Sequence, residues 1–367
     1  MFGSSSSESK PRKLSTRALV AVILLICVMA AGLSRMMGDS SEQLLKQALL
    51  TEGDEKIKLL KRAVAVSKSE STTAHVELCI ALARAKRNSE LATTFSTLKA
   101  DDCRPADLLS LATLCIRARE WNIAESCLNT VSSMPHSPAE RLLLECQLYS
   151  ETGRVKEWIQ SAKSLTDLVP DMTAGWQNLA TAQDRRQNKT AAIAVYQAAL
   201  TQNLPMADQS QMRHRLIEHC IETGDADLAR EHWKILLQQS PSDPRLGVYD
   251  ARLCHMEGRA SDGLTSIDKV LARLGPIPEA LRLRGILLLE LGQLENAIQE
   301  LTRVVQMMPN DEIVFFKLAE ATRRLWQRDH DPNQLTLSES YQRQYQKLHD
   351  DNLRQLGLIV EPSSPSP

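Results

Sequence analysis

Histidine and cysteine are the residues of this sequence best suited to metal binding, but their spacing matches no common metal site. His214 and His219 lie five apart in "HRLIEH", so on a helix they point in different directions, unlike the zinc pattern His-Glu-x-x-His. Cys103, Cys115 and Cys127 are twelve residues apart, and the sequence contains no Cys-x-x-Cys pair. We therefore predict neither a metal site nor a cofactor.

Catalytic and nucleic-acid-binding signals are also missing from the sequence. It has no phosphate-cradling glycine-rich loop and no Gly-x-Ser-x-Gly, and its carboxylates are scattered. The formal net charge is −1, which gives no attraction for a polyanion. Aromatic residues make up only 4%, while Ala, Leu, Gln, Glu, Lys and Arg are plentiful, as in an all-helical chain. We predict no catalytic residue, no enzyme activity and no nucleic-acid partner.

A repeated helical pattern organises most of the chain. In "LLELGQLENAIQELTRVVQMMP" (288–309), apolar residues fall three or four apart, a glycine interrupts the run, and a proline closes it. The same plan recurs in 148–170, 220–241 and 254–276, and Gly224, Gly258 and Gly292 are 34 residues apart. A fixed period of this length indicates stacked two-helix units. We expect Gly292 to form the turn, and Gly285 to meet Ala297 where the two helices cross.

These units resemble the tetratricopeptide repeat (TPR). The best match is "AGWQNLATAQDRRQNKTAAIAVYQAALTQNLP" (174–205), whose register residues are Trp176, Leu179, Ala180, Ala192, Tyr196, Ala199 and Pro205. Upstream the match loosens: Arg119 replaces the turn glycine, Lys58 takes a small-residue position, and so does Trp158, opposite Cys146. The resemblance implies an all-α, right-handed superhelix (an α-solenoid) of about eight helix-turn-helix units, spanning residues 38–330.

The last helices and the tail should close this solenoid. A ninth first-type helix is predicted over 311–326, and a C-terminal capping helix over 331–357, opening with a capping box from Thr336 to Glu339. Tyr341, Tyr345 and Leu348 form its narrow apolar stripe. Residues 358–367 are predicted to be a disordered tail.

The N-terminal segment predicts a membrane anchor. Residues 1–17 form a basic, serine-rich tail, and the sixteen residues 18–33 carry no charge, so that 18–37 can just cross a bilayer. Lys10, Arg12, Lys13 and Arg17 precede the span, which favours a cytoplasmic N-terminus and extracytoplasmic repeats. The alternative is a cleaved signal peptide and a secreted protein.

The cysteines also bear on this topology. Besides Cys27 there are seven, and an odd number without short paired spacings does not indicate a disulfide framework. Most of them fall on apolar helix faces. We predict mostly buried free thiols, which are uncommon in oxidising compartments.

The TPR resemblance implies that first helices line a groove for a protein or peptide segment. In register, the predicted partner-binding residues are Gln177, Asn178, His214, Arg215, Arg245, Tyr249, Arg252, Arg282 and Lys317. Arg245, Arg252, Arg282, Lys317 and Arg324 would form a basic strip that favours an acidic partner. Leu143 and Glu218 depart from the Lys/Asn/Arg clamp of chaperone-binding TPRs, so that function is not carried over. We expect a membrane-anchored, non-enzymatic scaffold. A recruiting or regulatory subunit of an enzyme complex is the rival hypothesis.

Overall fold

A computed structural model describes residues 40–67, 71–135 and 138–355. These residues form helices and turns and contain no strand. The described residues divide into two compact units, one ending at Arg154 and the other beginning at Val155. In unit one the α-helices are α1 (Ser41–Leu49), α2 (Gly53–Val66), α3 (Thr72–Arg84), α4 (Asn88–Phe95), α5 (Pro105–Ala118), α6 (Trp121–Ser132) and α7 (Pro138–Glu151), with a 3₁₀ turn at Ala100–Asp102.

Unit two continues the same helical alternation. Its helices are α8 (Val155–Leu168), α9 (Thr173–Arg185), α10 (Lys189–Leu200), α11 (Met206–Thr223), α12 (Ala226–Gln239), α13 (Arg245–Met256), α14 (Ala260–Leu274), α15 (Pro278–Glu290), α16 (Leu294–Met307), α17 (Glu312–Asp329) and α18 (Pro332–Gln355). First helices thus alternate with second helices as the 34-residue period predicts. The all-α fold class and the alternation of helix pairs are confirmed within the described residues.

A left-handed backbone residue joins the first helix of each predicted pair to the second. Positive φ angles of 57° to 85° recur at Gly53, Lys86, Arg119, Gly153, Gln187, Gly224, Gly258 and Gly292. In seven of these turns the next N–H donates to the carbonyl five residues back, from Arg87 to Leu82 (3.0 Å) through Gln293 to Leu288 (2.9 Å). This is the Schellman arrangement, which satisfies carbonyls at the helix end. The turn geometry is therefore what repeats, with or without glycine.

We expect the triple variant Lys86→Gly/Arg119→Gly/Gln187→Gly to be more stable than the wild type. Each side chain is exposed, and an L-residue pays about 1–2 kcal/mol for a left-handed backbone. Glycine also gives the unfolded chain more conformational freedom, which offsets about 0.5–1 kcal/mol of the stabilisation. The urea midpoint should rise, while Gly292→Ala, the converse change, should lower it. A lower midpoint for the triple variant would contradict the strain argument.

Small residues bring paired helices close together. At Gly285 in α15, an added Cβ would lie 2.7 Å from both Cγ and Cδ2 of Leu301 in α16, and 3.6 Å from the carbonyl oxygen of Ala297. The predicted contact with the Ala297 turn is thus present, and Leu301 makes the tighter one. Trp158, which occupies a small-residue position, packs within unit two, where its Nε1 donates to Asn178 Oδ1 (3.0 Å).

Helix α18 packs along α17, as an end-covering helix should. Tyr341 meets Phe315 with ring centroids 6.3 Å apart, and Tyr345 meets Phe316 at 5.3 Å, which confirms the tyrosine stripe. The predicted capping box at Thr336 is wrong, because the helix already begins at Pro332. Proline suits the first turn, where its missing N–H needs no partner. Thr336 is therefore internal, and its Oγ1 donates to the carbonyl of Pro332 (3.1 Å).

Seven cysteines lie within the described residues, and all are buried and unpaired, as predicted: Cys79, Cys103, Cys115, Cys127, Cys146, Cys220 and Cys254. Burial raises the pKa of the Cys79 and Cys115 thiols to about 12. These thiols are therefore protonated at neutral pH, which suits a packing role.

The predicted anchor at residues 18–37 and Cys27 lie outside the described residues. Among the helices that the structure describes, none is both long enough and apolar enough to span a bilayer.

Candidate protein-binding groove

Four successive first helices of unit two enclose an open groove of about 530 Å³. We call it the first-helix groove. Its residues come from α11, α13, α15 and α17 and are Ile221, Glu222, Val248, Arg252, His255, Met256, Glu279, Arg282, Leu283, Ile286 and Ile313.

The repeat period explains why these side chains meet. Ile221 and His255 are 34 residues apart, as are Arg252 and Ile286. Side chains at equivalent positions of stacked units point the same way, so one helical face supplies each wall. The groove combines apolar side chains with a few charged ones, the usual composition of a ligand-binding cleft.

Two charged side chains of the groove are already paired, and its histidine lies against a carboxylate. Arg282 donates to Asp311 Oδ2 (2.9 Å), and that aspartate also accepts the backbone N–H groups of Ile313 and Val314 at the start of α17. His255 Nδ1 lies 2.6 Å from Glu290 Oε1. Glu222 pairs with Lys189, and this hydrogen bond lowers the pKa of Glu222. These side chains are held in place and shape the groove.

Arg252 differs from them. It is partly buried on α13, and no carboxylate of the described residues lies within 4.0 Å of its guanidinium. The pKa of Glu222 is lowered first by Lys189, then by His219, and only weakly by the charge of Arg252. A partly buried guanidinium in a groove that Ile221 and Val248 also line can pair with a carboxylate from a bound segment.

Of the nine sequence-predicted binding residues, the groove brings together Arg252 and Arg282. The prediction that His214 and Tyr249 face the groove is corrected, because these residues are only 6% and 4% exposed. Nε2 of His214 lies 3.3 Å from Asp243, and the Tyr249 hydroxyl donates to Glu218 Oε1 (2.9 Å). Burial lowers the pKa of His214. These two rings join α11 to α13, and present no free surface.

The other predicted residues are placed elsewhere. Asn178 accepts from Trp158 and donates to the Ala174 carbonyl (2.9 Å), so its amide is occupied. Gln177 Nε2 lies 3.4 Å from Gln211 Oε1. Arg215 is exposed and donates to Glu218 (3.1 Å).

The predicted basic strip is largely neutralised. Arg245 donates to Asp243 (2.7 Å), Arg282 pairs with Asp311, and Lys317 and Arg324 share Glu320 at 2.9 and 2.5 Å. Sequence register placed the cations correctly on first helices, but four of the five lie within ion-pair distance of a carboxylate. Only Arg252 of the five lacks such a partner among the described residues.

Sequence reasoning missed the apolar part of the groove: Ile221, Val248, Met256, Leu283, Ile286 and Ile313. Apolar residues on a helix are ordinarily taken as core. The sequence could have indicated them, because some lie 34 residues from a polar groove residue, as Ile286 does from Arg252. Within the described residues, no cluster of three or more His, Cys, Asp or Glu side chains could hold a metal ion.

The profile of the tetratricopeptide repeat matches residues 178–244 and 257–312. No curated protein matches the chain. Among solved structures, a TPR protein fragment from Cytophaga hutchinsonii is 12% identical with a TM-score of 0.49, covering 69% of this chain and 99% of that one. A TPR protein from Parabacteroides merdae is 17% identical with a TM-score of 0.40, covering 82% and 100%.

A third similar structure is YrrB, described as a TPR protein with an unusual peptide-binding site. It is 12% identical with a TM-score of 0.40, covering 48% of this chain and 89% of that one. With TM-scores below 0.5, these likenesses identify no functional residue here. The helix pairs, the left-handed turns and the profile agree over the C-terminal half of the chain. Residues 178–244 and 257–312 are therefore tetratricopeptide repeats.

Proposed function

We propose that this protein is a non-enzymatic scaffold that binds a segment of a partner protein in the first-helix groove. TPR arrays serve protein–protein interaction, and the groove offers apolar side chains from four first helices to an extended or helical segment. The observation that carries the proposal is Arg252, a partly buried cation without a carboxylate partner in the described residues.

The groove also suggests the chemistry of the segment. Arg252 would meet a carboxylate, while Leu283 and Ile286 would receive an apolar side chain. Glu279 lies on α15 and carries no ion pair among the described residues, so an acidic group is unfavourable there. The partner is thus expected to carry one well-placed acid beside apolar residues, rather than a continuous acidic run.

We expect Arg252→Glu to weaken partner capture at least about 10-fold, because one attractive contact becomes a repulsive one. Crosslinking pull-down with the full chain from intact membranes, quantified by mass spectrometry, would measure this. Lys234→Glu changes an exposed lysine on α12 by the same charge and should leave capture unchanged. Both variants should keep the helical circular-dichroism signal. Capture that survives Arg252→Glu would place the binding surface elsewhere.

The identity of the captured protein separates the scaffold from its rival. Capture of an enzyme whose activity changes on binding would make this chain a recruiting or regulatory subunit. Capture of structural or assembly proteins would favour the scaffold.

We further propose that residues 18–37 anchor the chain in a membrane, with the repeats on the extracytoplasmic side. The uncharged run 18–33 and the four basic residues before it support this topology. A reporter fused after Pro309 that is active only outside the cytoplasm is the expected result. Activity only in the cytoplasm would invert the topology, and a mature N-terminus at or beyond Ala31 would show a cleaved signal peptide.

A further inference from the structure

A second groove lies between α17 and α18, and none of its residues belongs to the first-helix groove. We call it the cap groove. It encloses about 660 Å³, with Phe316, Ala319 and Arg323 on one wall and Leu335, Ser338 and Arg343 on the other.

Small residues keep this groove open while the helices stay joined. The buried hydroxyl of Ser338 donates to the carbonyl of Ala319 (2.9 Å), which fixes the two helices at that level. Neither side chain is large enough to fill the space beside the contact. Phe316 packs against Tyr345 on one edge yet remains 43% exposed. The exposed part of its ring adds apolar surface to the groove wall.

The charges around the cap groove leave cations in excess. Glu320, an acid of the α17 wall, is already bound by Lys317 and Arg324. Arg323 is exposed, and no carboxylate of the described residues lies within 4.0 Å of it. Arg343 likewise lacks a carboxylate there. Its Nε donates to a backbone carbonyl, that of Glu339 (3.3 Å), which leaves the terminal nitrogens available. Two guanidinium groups thus face one remaining carboxylate, Glu339.

We propose that the cap groove binds an amphipathic, acidic segment of a partner protein, with an apolar side chain between Phe316 and Leu335 and carboxylates on Arg323 and Arg343. The eight residues from Phe316 to Arg323 span about 10 Å of helix, which equals about two turns of a bound helix. The occupant therefore needs apolar residues at i and i+4, flanked by Glu or Asp. Planar guanidinium groups pair with carboxylates through two parallel hydrogen bonds, which adds orientation to attraction.

The test uses the full chain and a fluorescein-labelled peptide about four turns long, with Leu at i and i+4 and Glu at most other positions. Binding is followed by fluorescence anisotropy. Arg323→Glu/Arg343→Glu should weaken binding at least about 10-fold, while Arg323→Lys/Arg343→Lys should keep most of it. The control double variant Arg185→Glu/Lys234→Glu makes the same charge change at exposed positions of α9 and α12 and should have no effect.

An uncharged variant tests the groove itself. Gln342→Trp places a large side chain at an exposed position of the groove wall and should weaken binding without changing any charge. The peptide with Gln in place of every Glu should bind at least about 10-fold more weakly.

Four outcomes would overturn the proposal. Three are equal binding of the Gln peptide, binding that survives Arg323→Glu/Arg343→Glu, and Arg-dependent binding to phosphatidylserine vesicles in preference to the peptide. The fourth is loss of binding in Arg252→Glu alone, which would assign the peptide to the first-helix groove. The two proposals therefore fail independently.

Discussion

Replacing Gly285 by valine is expected to lower the free energy of unfolding by about 2–3 kcal/mol. A Cβ at this position would lie 2.7 Å from Cγ and Cδ2 of Leu301, closer than carbon atoms approach in proteins. Leu301 is fully buried and cannot swing into solvent, so α15 and α16 would have to separate. Urea denaturation followed by circular dichroism measures the loss.

The control for this prediction is Ala198→Val, at an exposed position of α10. It should show only the small helix cost of a β-branched residue, about 0.5 kcal/mol. The double variant Gly285→Val/Leu301→Ala should be less destabilised than the sum of the two single variants. The smaller alanine removes the clash with the introduced valine, and the valine fills part of the space that Leu301 leaves. Additive effects would show that Gly285 does not act through Leu301.

Replacing Arg230 by alanine is expected to be similarly costly, about 2–3 kcal/mol. The arginine lies on α12, and its Nη1 donates to Asp250 Oδ1 in α13 (2.5 Å). It also donates to both carboxylate oxygens of Glu257 (3.1 Å each), and its guanidinium lies 4.9 Å from the Trp233 ring. Only 15% of the side chain is exposed, so solvent screens these contacts weakly. Alanine would leave two partly buried carboxylates without this cation.

Two comparisons test the Arg230 interpretation. Arg259→Ala removes an exposed partner of Glu257 and should have a much smaller effect. Arg230→Ala/Asp250→Asn should be more stable than Arg230→Ala, because the amide needs no counter-charge. If the double variant is less stable than Arg230→Ala, the unpaired charge of Asp250 is not what destabilises Arg230→Ala.

The effect of Arg230→Ala should also depend on pH. Burial raises the pKa of Glu257 while hydrogen bonds from Arg230 and Arg259 lower it, and the net shift is downward from 4.5. A carboxylate with a lowered folded-state pKa stabilises the protein above its unfolded pKa and loses that contribution as the pH falls. The stability gap between wild type and Arg230→Ala should therefore narrow below about pH 4.5. A gap that widens on acidification would contradict the ion-pair explanation.

The sequence by itself determined the helix pairs and their period. The three- and four-residue spacing of apolar side chains records which helical face is buried, and that information is local. It located Gly292 in a turn and Gly285 at a helix crossing. It also placed Arg119 at the position of a turn glycine, and the structure gives this arginine a left-handed backbone. Residues 178–244 and 257–312 carry enough of this pattern to match the TPR profile.

Only the tertiary structure decided which side chains are free to bind. His214 and Tyr249 lie on a first helix as predicted, yet stacking against the neighbouring repeat buries them. Arg252 and Arg282 are both arginines on first helices. Arg282 forms an ion pair with Asp311, whereas no described carboxylate lies within 4.0 Å of Arg252. Such pairings join residues about 30 positions apart through rotamers and helix packing. Helical periodicity fixes the direction of a side chain but does not specify which partner lies within a few ångströms of its tip.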